Sequence, residues 1–142
     1  MSTRPDPSPL AAAVELIGDR WTLLLVDALL DGPRRFNDLL DAMPGIAPNI
    51  LSSRLKHLER EAVVLATPYT RRPPRFAYEL TAAGRDLAGA LRLLGQWGAR
   101  HVGDHAEGPR HAACGTALET RWWCPTCARV VEDDEAPTIR YA

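Results

Sequence analysis

Between residues 37 and 80 the spacing of apolar residues changes once, from helical to alternating, and that change limits the folds open to the chain. Asn37 can cap a short helix running to Met43, which Pro44-Gly45 then breaks. The segment "APNILSSRLKHLERE" restarts at Pro48, a residue suited to a first helical turn. Its Ile50, Leu51, Leu55 and Leu58 form one apolar face, and Asn49, Ser52, Ser53, Lys56 and Arg60 form the other. "VVLATPY" and "RFAYEL" then read as strands on either side of the turn "TRRPP". Two short helices joined by a tight turn, followed by an arginine-tipped hairpin, give the layout of a winged helix-turn-helix.

The flanks fit that layout. Ser8-Pro9 predicts a helix start, a hydroxyl cap followed by proline at the first helical position, and "LAAAVELIG" stops at Gly18. Asp19 can cap a second helix, "RWTLLLVDALLDG", and "RRF" can make one short strand. Thr81 can cap one long last helix, "AAGRDLAGALRLLGQWGARH", and Gly103, Gly108 and Pro109 mark a linker. The expected fold is mainly α with a small β-hairpin, an α+β winged helix-turn-helix over residues 8–102. A linker and a small ribbon-like module over 103–142 complete it.

The net charge of the 142 residues is −1, which points to no particular partner. Its distribution says more. Residues 34–75 hold eight arginines and lysines against four acids, a net of +4, while residues 103–142 hold seven acids against four arginines. Asn49, Ser52, Ser53 and Lys56 are small or polar enough to reach base edges in a major groove. Arg35 and Pro48 extend this candidate DNA surface, and Arg54, beside the apolar stripe, either braces the helix or touches phosphate. Arg71, Arg72 and Arg75 at the wing would meet phosphate or the minor groove. A polar helix face and an arginine-rich turn are, by themselves, ordinarily just solvated. His57 reads as solvated, and Trp21 and Trp97 as core or interface packing.

A linked string of residues adds to this reading. It runs through Gly18, Arg20-Trp21-Thr22, Gly32-Pro33-Arg34-Arg35-Phe36, Pro44-Gly45-Ile46, Leu51, Arg54-Leu55 and Leu58, then Tyr78, Leu80-Thr81, Gly84 and Trp97. In these residues the chain resembles the HxlR family of bacterial winged-helix regulators. The resemblance implies sequence-specific binding of double-stranded DNA by a homodimer on a palindromic operator, with the first and last helices as the dimer interface. It leaves room for an unidentified small-molecule effector. Gly89, Gly95 and Gly98 would suit a close helix approach. Two departures stand out. The cysteine that family members often carry before the first helix, and that some use to sense oxidants, is Ser8 here. The cap of the second helix of the pair is Ala47, worth about 1 kcal/mol less than a hydroxyl.

All three cysteines lie in "HAACGTALETRWWCPTC". His111-x2-Cys114 and Cys124-x2-Cys127 have the spacing of two knuckles, and "TALETRWW" could be the strand between them. Three cysteines and a histidine can make a tetrahedral, structural zinc site. His105 and His101 compete with His111 for the fourth position, as do water or a tail carboxylate. A metal-free tail and a redox pair at Cys124 and Cys127 are the other readings, although a redox pair needs a strand-to-helix context that the sequence lacks.

No nucleophile-and-base arrangement or glycine-rich phosphate loop is present, so no enzyme is expected. The longest strictly aliphatic run is Leu23 to Val26, too short to span a bilayer, and the start lacks an apolar targeting segment. The expectation is a soluble cytoplasmic regulator without membrane contact. The competing function is a protein-protein interaction module built on the winged helix and ribbon, to which the acidic "VVEDDEA" would contribute.

Overall fold

Helix starts in this chain are set by side chains that satisfy the free N–H groups of a first turn. A computed structural model describes residues 6–103, 108–132 and 134–135. In it, Ser8 Oγ accepts from the Ala11 N–H at 3.1 Å and opens α1 (Pro9–Ile17). Asp19 opens α2 (Arg20–Leu29), where Oδ1 accepts from the Trp21 and Thr22 N–H groups, both at 3.1 Å, and Oδ2 from the Thr22 hydroxyl. The expected strand at "RRF" is β1 (Arg34–Arg35).

The next helix begins two residues earlier than a cap at Asn37 predicts. α3 (Phe36–Ala42) follows directly on β1, and the Asp38 carboxylate reaches back to accept from the Arg35 N–H at 3.1 Å. Asn37 therefore lies inside the first turn. Gly45 turns the chain with φ of +89°, a conformation that glycine adopts at little cost. α4 (Pro48–Arg60) then starts from Ala47 without any side-chain cap, and Pro48 lacks the N–H that a cap would satisfy.

The wing is an antiparallel sheet in the order β1-β3-β2, with β2 (Val64–Arg71) at one edge and β3 (Pro74–Leu80) in the centre. Arg34 pairs with Tyr78, Val64 with Leu80, and the register slips between Pro68 and Thr70. An edge strand tolerates Pro68, which has no N–H to donate. The two strands run closer to the tip than "VVLATPY" and "RFAYEL" predict.

The expected single last helix is two. Thr81 caps only α5 (Ala82–Arg85), and α6 (Ala88–His101) follows after a break. A Cβ on Gly84 would sit 2.3 Å from the Val63 carbonyl oxygen, so this turn is pressed onto the start of the wing. The Leu87 N–H bonds the Gly84 carbonyl at 3.2 Å, tightening the chain before α6 begins.

Leu25, Val26 and Leu29 of α2, Leu39 of α3, Leu51, Leu55 and Leu58 of α4, and Val64 and Leu80 of the sheet are buried together. Two polar contacts tie α4 to the helices beneath it. Arg54 Nε lies 3.4 Å from Asp19 Oδ1, as an ion pair without hydrogen-bond geometry. His57 Nε2 is 2.8 Å from the Leu16 carbonyl oxygen, so this half-buried ring is not the solvated side chain that the sequence suggested. Burial raises the Asp19 pKa, but the Thr22 hydroxyl and N–H, the Arg54 charge and the Trp21 N–H together hold it below its ordinary value.

The chain divides into two compact units, Met1–Leu91 and Arg92–Ala142, with the division inside α6. In the second unit Arg110 and Ala117 form a bridge, and β4 (Trp122–Cys124) pairs with β5 (Arg129–Val131). Most of "TALETRWW" is therefore not a strand between the cysteine pairs. Cys124-x2-Cys127 sits at the turn of the hairpin instead. Among the described residues no helix is long and apolar enough to cross a membrane.

Asp19→Ala removes the α2 cap and the Arg54 counter-charge together, and should cost about 1–2 kcal/mol in urea unfolding. A lowered folded-state pKa means that this stability is present above the unfolded value of 3.8 and lost as pH falls through the folded one. The variant should accordingly show a flatter acid limb than the parent. Gly84→Ala should destabilise by about 1–3 kcal/mol through overpacking against the Val63 carbonyl, read in the same unfolding experiment.

Candidate DNA interface

The burial of Leu51, Leu55 and Leu58 fixes which side of α4 faces outward. Helical spacing then brings Asn49, Ser52, Ser53 and Lys56 onto the other side. Pro48, Asn49, Ser53 and Lys56 are exposed, and Ser52 is half-buried. These residues are small or flexible, so the helix can approach a surface closely and present an amide, hydroxyls and an ammonium to it. Arg54 is the exception among the sequence-predicted contacts. Its guanidinium leans onto Asp19, so it braces the helix, the first of the two roles the sequence allowed.

The wing supplies the charge. Arg71, Arg72 and Arg75 are all exposed around the tip, where the Thr70 hydroxyl donates to the Pro73 carbonyl at 2.7 Å and closes the turn. Arg35, on the edge strand β1, has its guanidinium 4.4 Å from the centre of the Tyr69 ring. This cation–π contact holds the side chain while leaving it exposed. Sequence reasoning missed Tyr69. Its signal was the proline one residue before it, which breaks the ladder and lets the register slip. Arg35, Asn37, Tyr69, Arg75 and Tyr78 line an open cleft of about 550 Å³. Burial, followed by the Glu59 charge, raises the Tyr78 pKa, so its hydroxyl keeps its proton.

The predicted metal ligands come together in two pairs. His111 Nδ1 is 3.3 Å from Cys114 Sγ, and Cys124 and Cys127 share the β4–β5 turn. All three thiols are free. The Thr116 hydroxyl and N–H lower the Cys114 pKa. The Cys127 N–H and side chain lower that of Cys124, and the neighbouring Cys124 sulfur in turn raises that of Cys127. Among the described residues no three His, Cys, Asp or Glu side chains converge as a metal site. His101 sits on α6 with its ring 5.2 Å from that of Trp97, and His105 lies outside the described residues.

Comparison with known proteins bears on this geometry. Residues 16–106 match the family described as HxlR-like helix-turn-helix. The HTH-type transcriptional regulator Rv3095 of Mycobacterium tuberculosis is 38% identical over 135 residues, which cover 92% of this chain and 84% of that one. The crystal structure of the HTH-type regulator YtcD superposes with a TM-score of 0.62 at 35% identity, covering 68% of this chain and 98% of its own. The redox regulator HypR in its reduced form superposes with a TM-score of 0.63 at 31% identity, covering 70% and 100%. These are transcriptional regulators, not enzymes, and they share the helix pair and wing described above. The protein belongs to the HxlR-like helix-turn-helix family of transcriptional regulators.

Proposed function

We propose that the protein acts as a homodimer that reads a palindromic operator, with one α4 in each of two successive major grooves and the wing arginines on the flanking backbone. The observation that carries this reading is the pairing of an exposed Asn49, Ser53 and Lys56 face with three exposed arginines at the wing tip. Base edges would be read by the first set and phosphates gripped by the second. A two-fold dimer would place the recognition helices about 34–36 Å apart, one turn of duplex.

The dimer part of the proposal rests on two helices that leave large apolar side chains exposed in one chain. Leu10 and Val14 of α1 are 66% and 55% exposed, and Leu94 and Trp97 of α6 are 52% and 57% exposed. Apolar side chains left in water on a whole helix mark an interaction surface, and a self-complementary pair of copies is the commonest way to cover one. A Cβ placed on Gly89, Gly95 or Gly98 would meet no atom within 4 Å, which leaves α6 open to close approach by another helix. Thiol sensing ahead of the first helix does not fit this chain. Ser8 has no thiol, and its hydroxyl is used as the α1 cap.

Two experiments test these assignments. Arg71→Ala and Arg72→Ala should weaken binding to every duplex and reduce the slope of log affinity against log salt by about one per lost phosphate contact. An unchanged slope in both variants would remove the wing from the interface. Leu94→Asp and Trp97→Asp should convert the dimer into monomers in light scattering, with loss of operator affinity. Monomeric parent protein, or a dimer that survives both changes, would contradict the interface.

A further inference from the structure

The second unit has almost nothing to hold it together by burial. Every described residue from 108 to 135 is exposed or half-buried. Leu118, Trp122 and Trp123 are 47%, 58% and 61% exposed. A segment of this size without a core needs a staple. Its side-chain ion pairs are on the surface, where such pairs contribute little.

Two turns in this unit are built alike. Each carries two ligand-type side chains three residues apart, His111 with Cys114 and Cys124 with Cys127. Each is followed at once by a left-handed residue, Gly115 at φ +71° and Ala128 at φ +52°. Each is framed by an antiparallel pair, Arg110 with Ala117 and Cys124 with Arg129. In the first turn the Cys114 and Gly115 N–H groups both donate to the His111 carbonyl, at 3.3 and 2.7 Å. In the second, Cys124 pairs with Arg129 and Cys127 lies in the turn between them. Left-handed backbone costs an alanine about 1–2 kcal/mol and persists where something else requires the turn.

We propose that His111, Cys114, Cys124 and Cys127 bind one zinc ion, and that the ion closes the two turns onto each other as the structural staple of the C-terminal unit. Three thiolates and an imidazole are a soft donor set, which suits zinc and not calcium or magnesium. Four protein ligands leave no open position, so the ion is structural and not catalytic. Three of the described tail carboxylates that could compete for the fourth place are paired with arginines. Glu119 and Glu132 pair with Arg121 at 2.8 and 3.5 Å, and Glu135 pairs with Arg129 at 2.6 Å. Because the two pairs stand apart among the described residues, binding and closure are one event, and the thiol protons leave to water as the ion enters. The proposal does not depend on how the first unit reads DNA.

The test uses the full-length chain, purified without a histidine tag. Native mass spectrometry should find one zinc per chain, removed by a chelator and restored by added zinc. Cobalt in its place should give thiolate-to-metal charge transfer and the visible bands of a tetrahedral site. Cys124→Ser and Cys127→Ser should each lose the metal, and His111→Ala should weaken it tenfold or more. His111→Cys should keep it, and His101→Ala should leave it unchanged. A circular-dichroism melt of each variant checks that the helical unit remains folded. Three results would overturn the proposal: no stoichiometric zinc or cobalt, full zinc occupancy in Cys124→Ser, or a cobalt spectrum with octahedral geometry. A Cys124–Cys127 disulfide that persists after zinc is supplied under reducing conditions would do the same and would favour redox chemistry at that turn.

Discussion

The burial of one face of α4 is the constraint on which the first unit depends. Leu51, Leu55 and Leu58 are buried against Leu25, Val26 and Leu29 of α2. Fully burying a leucine is worth about 1.5–3 kcal/mol, so rotating the helix to expose this face would cost far more than any surface contact could return. The outward direction of Asn49, Ser53 and Lys56 is therefore a consequence of the core. Two polar ties sharpen the placement. Arg54 meets the same carboxylate that caps α2, and His57 reaches back to the end of α1. A change at Asp19 would consequently be felt at two helices, although the residue lies far from the outward face.

Much of this was legible in the sequence, because periodicity and caps are local. Ser8 and Asp19 cap the helices that they were expected to cap, Thr81 caps only the short α5, and Pro48 opens α4. What was misread involves partners distant in the chain. Nothing near His57 announces Leu16, and a solvated ring was the reasonable expectation. The break between α5 and α6 follows Gly84, where a Cβ would sit 2.3 Å from the Val63 carbonyl oxygen across the start of the wing. The start of α3 moved by two residues, to Phe36, where Asp38, and not Asn37, closes the first turn by accepting from the Arg35 N–H. In the tail, alternation in "TALETRWW" suggested a strand, but pairing went to Arg129–Val131, which turns the Cys-x2-Cys into a hairpin loop.

The two units use different physics. The first is held by a hydrophobic core. The second is held by two hydrogen-bonded turns and a few surface ion pairs, and all the thiols of the chain are concentrated there. This chain has a serine hydroxyl ahead of its first helix, and its three cysteines lie toward the other end of the sequence.

Selection from a library of random double-stranded DNA, at fixed near-physiological salt, tests the central claim most directly. The account predicts enrichment of an inverted repeat whose half-sites are centred about one helical turn apart, or a multiple of it, with base preference confined to the half-sites. Recovery of unpatterned sequence, or no retention of DNA above background, would contradict it and return the winged helix to a role in binding protein.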